Sequence, residues 1–442
     1  MTFKFPDGWQ LQSVEDSMKA IIDYRGKTPR KTPSGVPLIT AKIVKDGRIM
    51  PPTEFIAAEG YDSWMNRGLP EPGDVVMTTE APLGEIGQID NRKVALGQRL
   101  ITLRGKPDVL NNTYLKFAMQ AAFVQNQLKA RSTGTTVLGI SQRELRKIEI
   151  PFPPLSEQRR IAHILGVLDE KIELNRQMNE TLEATARAIF KSWFVDFDPV
   201  KAKVEGRKPA CTETEIAALF PSAFQDSPLG EIPQGWLVRT LGDLSHRSQY
   251  GYTASAKNEI VGPKFLRITD INKKAGIDWS SVPHCEITKK DFDKYRLHKG
   301  DVLIARMADP GHGVLIEENQ EAVFASYLIR FCPIRSEYAR FFQYWLRSDS
   351  YWKFVREREI GTTRASLNAK TLSGFPLVIP PLDIVKVFSS QVSSLRDRVV
   401  ANTSETESLA NLRDTLLPKL LSGEIRIDDA AEILEENDGE KS

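Results

Sequence analysis

Between Ile21 and Leu38 the chain reads IIDYRGKTPRKTPSGVPL, a stretch dense in cations and hydroxyls. Arg25, Lys27, Arg30 and Lys31 stand there beside Tyr24 and Thr28. Such a set suits a sugar–phosphate backbone: charge for attraction, hydroxyls for positioning, a ring for packing or stacking. Thr79 in TTEAPLGEIG and Thr135 and Thr136 in STGTT extend the same chemistry. A second set follows later, with Tyr250, Tyr252, Thr253 and Lys257 in SQYGYTASAKNE and Arg306 and His312 in ARMADPGHGV. Thr362, Thr363 and Arg364 in GTTR complete it. The plainer alternatives are solubilising charge for the cations, a half-buried strand edge for Tyr250 and Tyr252, and a structural turn for His312.

Catalytic chemistry is harder to find. No GxxxxGK[ST] phosphate loop occurs, no GxGxxG stands between a strand and a helix, and no Asn/Asp-Pro-Pro-aromatic tetrapeptide is present. Asp196-Phe-Asp198 resembles half of a nuclease metal site but lacks a following Glu-x-Lys. His163 is a lone histidine on a helical pattern, and His284-Cys285 has no partner at ligand spacing. Cys211, Cys285 and Cys332 are odd in number and scattered, which excludes a disulfide framework or a zinc pattern. The expectation is no catalytic residue, no metal and no cofactor in this chain.

What positions the loops is a long helix. From Pro151 to Phe194 the sequence is PFPPLSEQRRIAHILGVLDEKIELNRQMNETLEATARAIFKSWF. Alternating steps of four and three place Ile161, Leu165, Leu168, Ile172, Asn175, Asn179, Leu182, Ala186, Ile189 and Trp193 on one seam. Seven of these ten are large and apolar, the signature of a coiled-coil helix roughly 58 Å long at ~1.5 Å per residue. Its partner lies in the same chain. An offset of 227, which carries Trp9 onto Trp236, gives Phe388, Val392, Leu395, Val399, Asn402, Thr406, Leu409, Arg413, Leu416 and Leu420. The same offset carries Gly73-Asp74 onto Gly300-Asp301 and Gly134-Thr-Thr onto Gly361-Thr-Thr. Over residues 134–155 and 361–382, seven of 22 ungapped positions are identical, against about one or two for unrelated sequences. The chain is one unit written twice, with scaffold motifs retained and loops changed.

Composition agrees. Hydrophobic content of 41% and charged content of 27% are those of a globular protein. No apolar run of 18 residues occurs and MTFKFPDGWQ lacks a signal-peptide core, so a cytoplasmic protein without a membrane partner is expected. The net charge of +2 hides a pattern. Residues 1–155 carry 21 Lys+Arg against 16 Asp+Glu, and residues 231–381 carry 22 against 17, an excess of five in each. From Ser422 onward 8 acidic residues face 2 basic ones. Two basic heads permit a polyanionic partner. The expected domains are 1–154, a helix over 155–195, a polar linker over 196–234, a second head over 235–381, a second helix over 382–423 and an acidic tail over 424–442. The fold class is α+β: two mixed α/β domains separated by a pair of long antiparallel helices, an intramolecular coiled coil formed by internal duplication.

The run PFPPLSEQRRIA…LDEKIELN, its weaker repeat PPLDIVKVFSSQVSSLRD, the STGTT and IGTT turns and the closing LRDTLLPKLLSGEI resemble the specificity subunit of type I restriction-modification systems. That resemblance covers about residues 8–425. It implies two target-recognition domains on conserved spacer helices, binding double-stranded DNA and reading an asymmetric bipartite target. It further implies two modification (methyltransferase) subunits as partners, using S-adenosylmethionine, and restriction (translocase/nuclease) subunits using ATP and Mg. One departure is visible: the second copy has Pro-Pro-Leu-Asp383-Ile384 where the first has Pro-Pro-Leu-Ser156-Glu157-Gln158, so contacts made by Glu157 or Gln158 are not expected to recur in the second half. The residues themselves leave open a coiled-coil scaffold without DNA, or a self-contained DNA-modifying enzyme.

Overall fold

The computed structural model describes residues 5–26, 28–210, 213–271, 276–359 and 367–425. The chain divides into two compact units, residues 1–176 with 403–442 and residues 177–402. Among the described residues no helix is long and apolar enough to cross a membrane. Lys27, Thr362, Thr363, Arg364, Cys211 and nearly all of the acidic tail lie outside the described residues.

The first unit contains β1 (Gln10–Ser13), β2 (Met18–Asp23), β3 (Val75–Thr79), β4 (Leu83–Gln88), β5 (Leu100–Gly105) and β6 (Glu149–Phe152). Its principal helices are α1 (Asn112–Gln120), α2 (Ala122–Ala130) and the long α3 (Leu155–Phe194). An antiparallel sheet runs β2-β5-β3-β4. Every side chain of β3 is buried, because both faces of the sheet are covered. Val75 and Met77 join Tyr114, Leu115 and Phe117 of α1 in one core. Val76, one residue out of phase, joins Leu38, Ile39 and Ile56 of an outer sheet in another. Gln10↔Phe152 through Ser13↔Glu149 close the base of the head.

Unit two repeats this plan. β7 (Leu237–Thr240), β8 (Gln249–Tyr250), β9 (Val302–Ala305), β10 (Gly313–Leu315), β11 (Leu328–Phe331) and β12 (Pro376–Ile379) follow, with α4 (Glu337–Trp345), α5 (Asp349–Glu359) and α6 (Leu382–Ser422). The sheet order is β8-β11-β9-β10. Base pairing runs Leu237↔Ile379 to Thr240↔Pro376, each register pair displaced by 227 from its counterpart. Val302 and Ile304 face the helix core while Leu303 and Ala305 face the outer one, so even the two-residue alternation is copied. Gly73 and Gly300 both hold positive φ, at 87° and 97°, and the buried Asp74 and Asp301 accept backbone N–H groups of Glu71 (2.8 Å) and His298 (3.0 Å). Arg104 at 2.7 Å and Arg330 at 3.1 Å neutralise these aspartates.

The helical stretch from Asn112 to Ala130 is broken at Ala121, whose ψ of 144° is extended, and its counterpart is likewise split into α4 and α5. Two expectations change. The expected linker is part of the second unit: Val200, Phe220 and Ile232 are buried with Phe194 and Trp236 in one core. Apolar residues spaced through a polar stretch gain more from that core than from solvent. The seam also slips. Ile161, Leu165, Leu168, Ile172, Asn175, Phe388, Val392, Val399, Asn402 and Leu416 are buried, but Leu182, Ile189, Leu395 and Leu409 are only half-buried. Glu183, Phe190 and Arg396 are buried instead. An α-helix with 3.6 residues per turn drifts from a strict seven-residue repeat, and one four-residue step from Asn179 to Glu183 absorbs the drift.

That slip brings charge into the seam. Arg396 is 3% exposed and donates to Glu183 Oε2 at 3.2 Å and to Glu317 at 3.0 and 2.5 Å. Arg347 Nη1 reaches Glu183 at 2.5 Å, the Tyr344 hydroxyl donates to Glu183 at 3.2 Å, and Arg340 pairs with Glu317. Burial alone would raise the Glu317 carboxyl, but hydrogen bonds and charge from Arg396 and Arg340 hold it below the usual range. In unit one Asp169 binds Arg413 at 2.8 Å and Lys116, and the seam asparagine Asn175 donates to Glu405 at 2.9 Å. Asn402 donates to Asn179 at 2.9 Å. Removing one partner of a buried pair leaves charge uncompensated, so Arg396→Met is expected to destabilise unit two by about 3 kcal/mol at pH 7. Because the Glu317 pKa is lowered, its contribution is present above the ordinary carboxylate range and lost as pH falls through the folded value. The gap between variant and wild type in denaturant titrations therefore narrows below pH ~4.

Candidate nucleic-acid interface

Loop charge and available loop charge are different things in this fold. Tyr24 is a core residue, 2% exposed, accepting from Arg67 N at 2.9 Å and donating to Gly68 O at 2.8 Å. It tilts against Trp64 with centroids 5.7 Å apart, so its place is in packing and not at the surface. Arg25 is clamped by Asp23 at 2.6 Å and donates to Ile140 O at 2.9 Å, stapling its loop to the 139–141 backbone. Lys31 is paired with Glu54 at 2.8 Å, Thr28 accepts from Gln98 Nε2 at 3.0 Å, and Arg30 is exposed. In the second head Lys257 meets Glu286 at 2.6 Å, while Thr253 is exposed.

A polar cleft of about 350 Å³ gathers part of the first set at one end of the sheet. Arg25, Thr79, Glu80, Gln98, Arg99, Thr133 and Ser141 line it. Its rim is a turn held by Thr133 N–H to Gly139 O at 2.8 Å and the reciprocal bond at 2.9 Å. Thr135 and Thr136 are exposed on this turn, with Val137 and Leu138 at 52% and 45%. Gly134 has φ +111°, and a Cβ there would lie 2.1 Å from Val137 O, so only glycine fits. Gln98 and Arg99 were missed by sequence reasoning, which sought clusters of cations. Their signal was the turn Gly97-Gln98-Arg99 directly before β5, where Arg99 takes φ +68°.

The second head presents a different chemistry on the same frame. Tyr250 is 41% exposed, carries the Arg306 guanidinium 5.0 Å over its ring, and accepts from Ala369 N at 3.0 Å. Tyr252 packs on Tyr295 at 5.4 Å and exchanges backbone bonds with Phe324 and Ser326, so it is half-buried strand edge. His312 is also half-buried, its ring 4.7 Å from Trp352 and its Nδ1 3.0 Å from Asp309 Oδ1; it braces a turn.

No catalytic constellation accompanies these surfaces among the described residues. Asp196 is paired with Lys191, His163 is exposed on α3, and His284 Nδ1 lies 2.7 Å from Gly262 O. Burial pushes the Cys332 thiol, beside Asp301, up to about 12, which denies it thiolate character. No group of three His, Cys, Asp or Glu is arranged to hold a metal ion among the described residues.

Beneath the first head the Pro-Pro-Leu-Ser-Glu-Gln entry is a bracket. Glu157 accepts the Trp9 indole N–H at 3.1 Å. Gln158, fully buried, accepts from Asn111 N at 2.9 Å and donates to Val109 and Pro153 carbonyls at 3.1 and 2.9 Å. In the second half Ile384 replaces Glu157, and the buried Trp236 indole N–H is left without a partner. A duplicated scaffold carrying two unlike polar surfaces agrees with comparison to known proteins. Residues 6–184 and 233–407 match the family described as the type I restriction modification DNA specificity domain.

The chain belongs to that family.

It is 27% identical over 369 residues to the type I restriction enzyme MjaIX specificity subunit of Methanocaldococcus jannaschii, covering 81% of this chain and 78% of that one. Over 67% of this chain and 73% of the other, it is 28% identical to the HindI specificity subunit of Haemophilus influenzae. The crystal structure of a type I system S subunit from M. genitalium shares the fold at TM-score 0.58 and 18% identity, covering 95% of this chain and 99% of that one. As a specificity subunit the chain is the non-catalytic DNA-recognition component, with catalysis in other subunits. Family membership sets aside both the scaffold without DNA and the self-contained enzyme. Gly134→Ala should unseat the rim turn at a local cost of ~1–3 kcal/mol. Weaker DNA binding by the assembled complex is the expected outcome in a fluorescence titration, with the melting temperature of the chain lowered by only a few degrees.

Proposed function

We propose that this specificity subunit reads an asymmetric, bipartite DNA target, one head per half-site, and holds two modification subunits and the restriction subunits around it. The observation that carries this reading is the contrast between scaffold and surface. Base strands, sheet order and Asp–Arg anchors repeat at an offset near 227, while Arg25, Thr79 and Arg99 have no like-for-like counterparts. One frame with two different surfaces suits two different half-sites. The repeated base beneath each head suits a pair of equivalent docking partners. Two S-adenosylmethionine-dependent methyltransferase subunits would supply the modification chemistry, and ATP- and Mg-dependent subunits the restriction. The setting is the cytoplasm.

The DNA-binding set proposed for the first head is Arg25, Lys27, Thr28, Arg30, Lys31, Thr79, Thr135 and Thr136. For the second it is Tyr250, Thr253, Lys257, Arg306, Thr362, Thr363 and Arg364. Lys31 and Lys257 act as exchangeable surface cations, since exposed pairs such as Lys31–Glu54 contribute ~0–1 kcal/mol and yield readily to phosphate. Lys31→Ala should weaken binding similarly on every sequence and lower the salt slope by about 1. A changed motif would contradict a phosphate role for it.

The helix pair would act as the spacer. Asn175 pairs within the first unit and Asn402 within the second, so insertions directly after them leave both sets of seam contacts intact. Seven residues added at each point lengthen both helices by ~10 Å at ~1.5 Å per residue. On B-DNA that is about three base pairs at ~3.4 Å each. Base-resolution methylation sequencing of a host carrying the complex should show the same two half-sequences around a gap longer by about three. An unchanged gap with retained methylation would show that another element sets the spacing.

A further inference from the structure

Within each head, one corner of the sheet carries unlike side chains on superposable backbone stations. In the first head Leu100 pairs with Thr78, and the next step out is Thr79 N–H donating to Arg99 O at 2.9 Å. In the second, Leu328 pairs with Ala305, and Arg306 N–H donates to Tyr327 O at 2.9 Å. Thr79 therefore corresponds to Arg306, Arg99 to Tyr327 and Gln98 to Ser326. The turn that follows is copied as well, with Ala81 and Ala308 both at positive φ, 52° and 63°. On this shared frame the arginine changes strand: it leads β5 in one head and ends β9 in the other.

Both corners hold an unmade hydrogen bond. Thr79 Oγ1 is buried without a partner, and so is Arg306 Nε. Buried polar groups are nearly always paired, so an orphan at the same station in both heads points to a ligand that completes it. Among the described residues the Arg99 side chain is held only by Glu80 at 2.9 Å, in a pair about half exposed on both sides (53% and 44%), which a DNA partner can displace. Tyr327, at 53%, is equally open. Contrast the rim turn: Gly134-Thr135-Thr136 recurs as Gly361-Thr362-Thr363. What is identical in two heads with different targets contacts what the targets share, the backbone. What differs on identical stations is free to contact what differs, the bases.

We propose that this corner is the base-reading station of each head, with Arg99 in the first and Arg306 in the second as specificity-determining residues. The proposal rests on the bipartite reading above. A guanidinium fork pairs with the O6 and N7 acceptors of guanine in the major groove, and Gln98 beside Arg99 carries the amide that suits adenine N6 and N7. Arg306, stiffened by its stack on Tyr250, presents the same fork from the opposite strand.

The test uses the full chain assembled with its modification subunits, read by base-resolution methylation sequencing. Arg99→Lys keeps the charge but loses the fork, and Arg99→Asn suits the left-handed backbone at that position. Either should relax discrimination at one base pair of one half-site roughly tenfold or more, with the other half unchanged. Arg306→Lys should do the same in the other half only. Copurification with the modification subunits and an unshifted melting temperature establish that each variant is folded. If the wild-type motif is divided but folded Arg99→Lys, Arg99→Asn and Arg306→Lys variants leave both halves as they were, this assignment is overturned while the bipartite reading stands. A uniform fall in methylation at every site, without change of motif, also overturns it by making both arginines phosphate contacts. A wild-type complex whose motif is undivided sinks the bipartite reading itself.

Discussion

Everything in this protein hangs on two long helices that must stay paired, and buried charge fixes how they pair. At the level of Asp169 in α3 the repeat places Arg396 in α6, so the same station carries opposite charge in the two halves. Each is answered by the other helix within its own unit, Asp169 by Arg413 and Arg396 by Glu183. A helix paired with a copy of itself would instead set Asp169 against Glu183, or Arg396 against Arg413. Like charges brought together out of water are costly, so the seam favours α3 with α6 in one register. Two different heads are thereby kept on one scaffold.

From that scaffold the heads inherit geometry and not chemistry. The buried β3 and β9, the positive-φ glycines and the Asp–Arg anchors rebuild the same sheet twice. Arg99 and Tyr327 at the sheet corner are then free to differ, because each stands about half exposed, outside the core. The unequal brackets below show the same tolerance: the Trp9 indole has its carboxylate, and the Trp236 indole does without.

Much of this was legible in the sequence, for definite reasons. The duplication and the apolar seam up to Asn175 could be read because core spacing leaves a periodic trace. Beyond Asn179 the trace misled, since Glu183 and Arg396 read as surface charge until Glu317, Arg340 and Arg347, remote in sequence, supply their partners. Cation density located the heads but not their free groups: Arg25 and Lys257 are already paired by Asp23 and Glu286. For Tyr24 and Tyr252 the sequence left stacking and packing open, and burial, not residue type, decides for packing. Arg99 was overlooked because one arginine in a three-residue turn has no periodicity and no cluster to mark it.

The central claim is that two unlike heads read two unlike half-sites independently. Equilibrium binding of the assembled complex to four duplexes tests it most directly: the intact target, each half scrambled alone, and both halves scrambled together. Independent readers predict that the free-energy losses from the two single changes add to the loss from the double change, within about 0.5 kcal/mol. Scrambling one half so that the other no longer contributes, or costs nothing when scrambled in turn, would contradict the account.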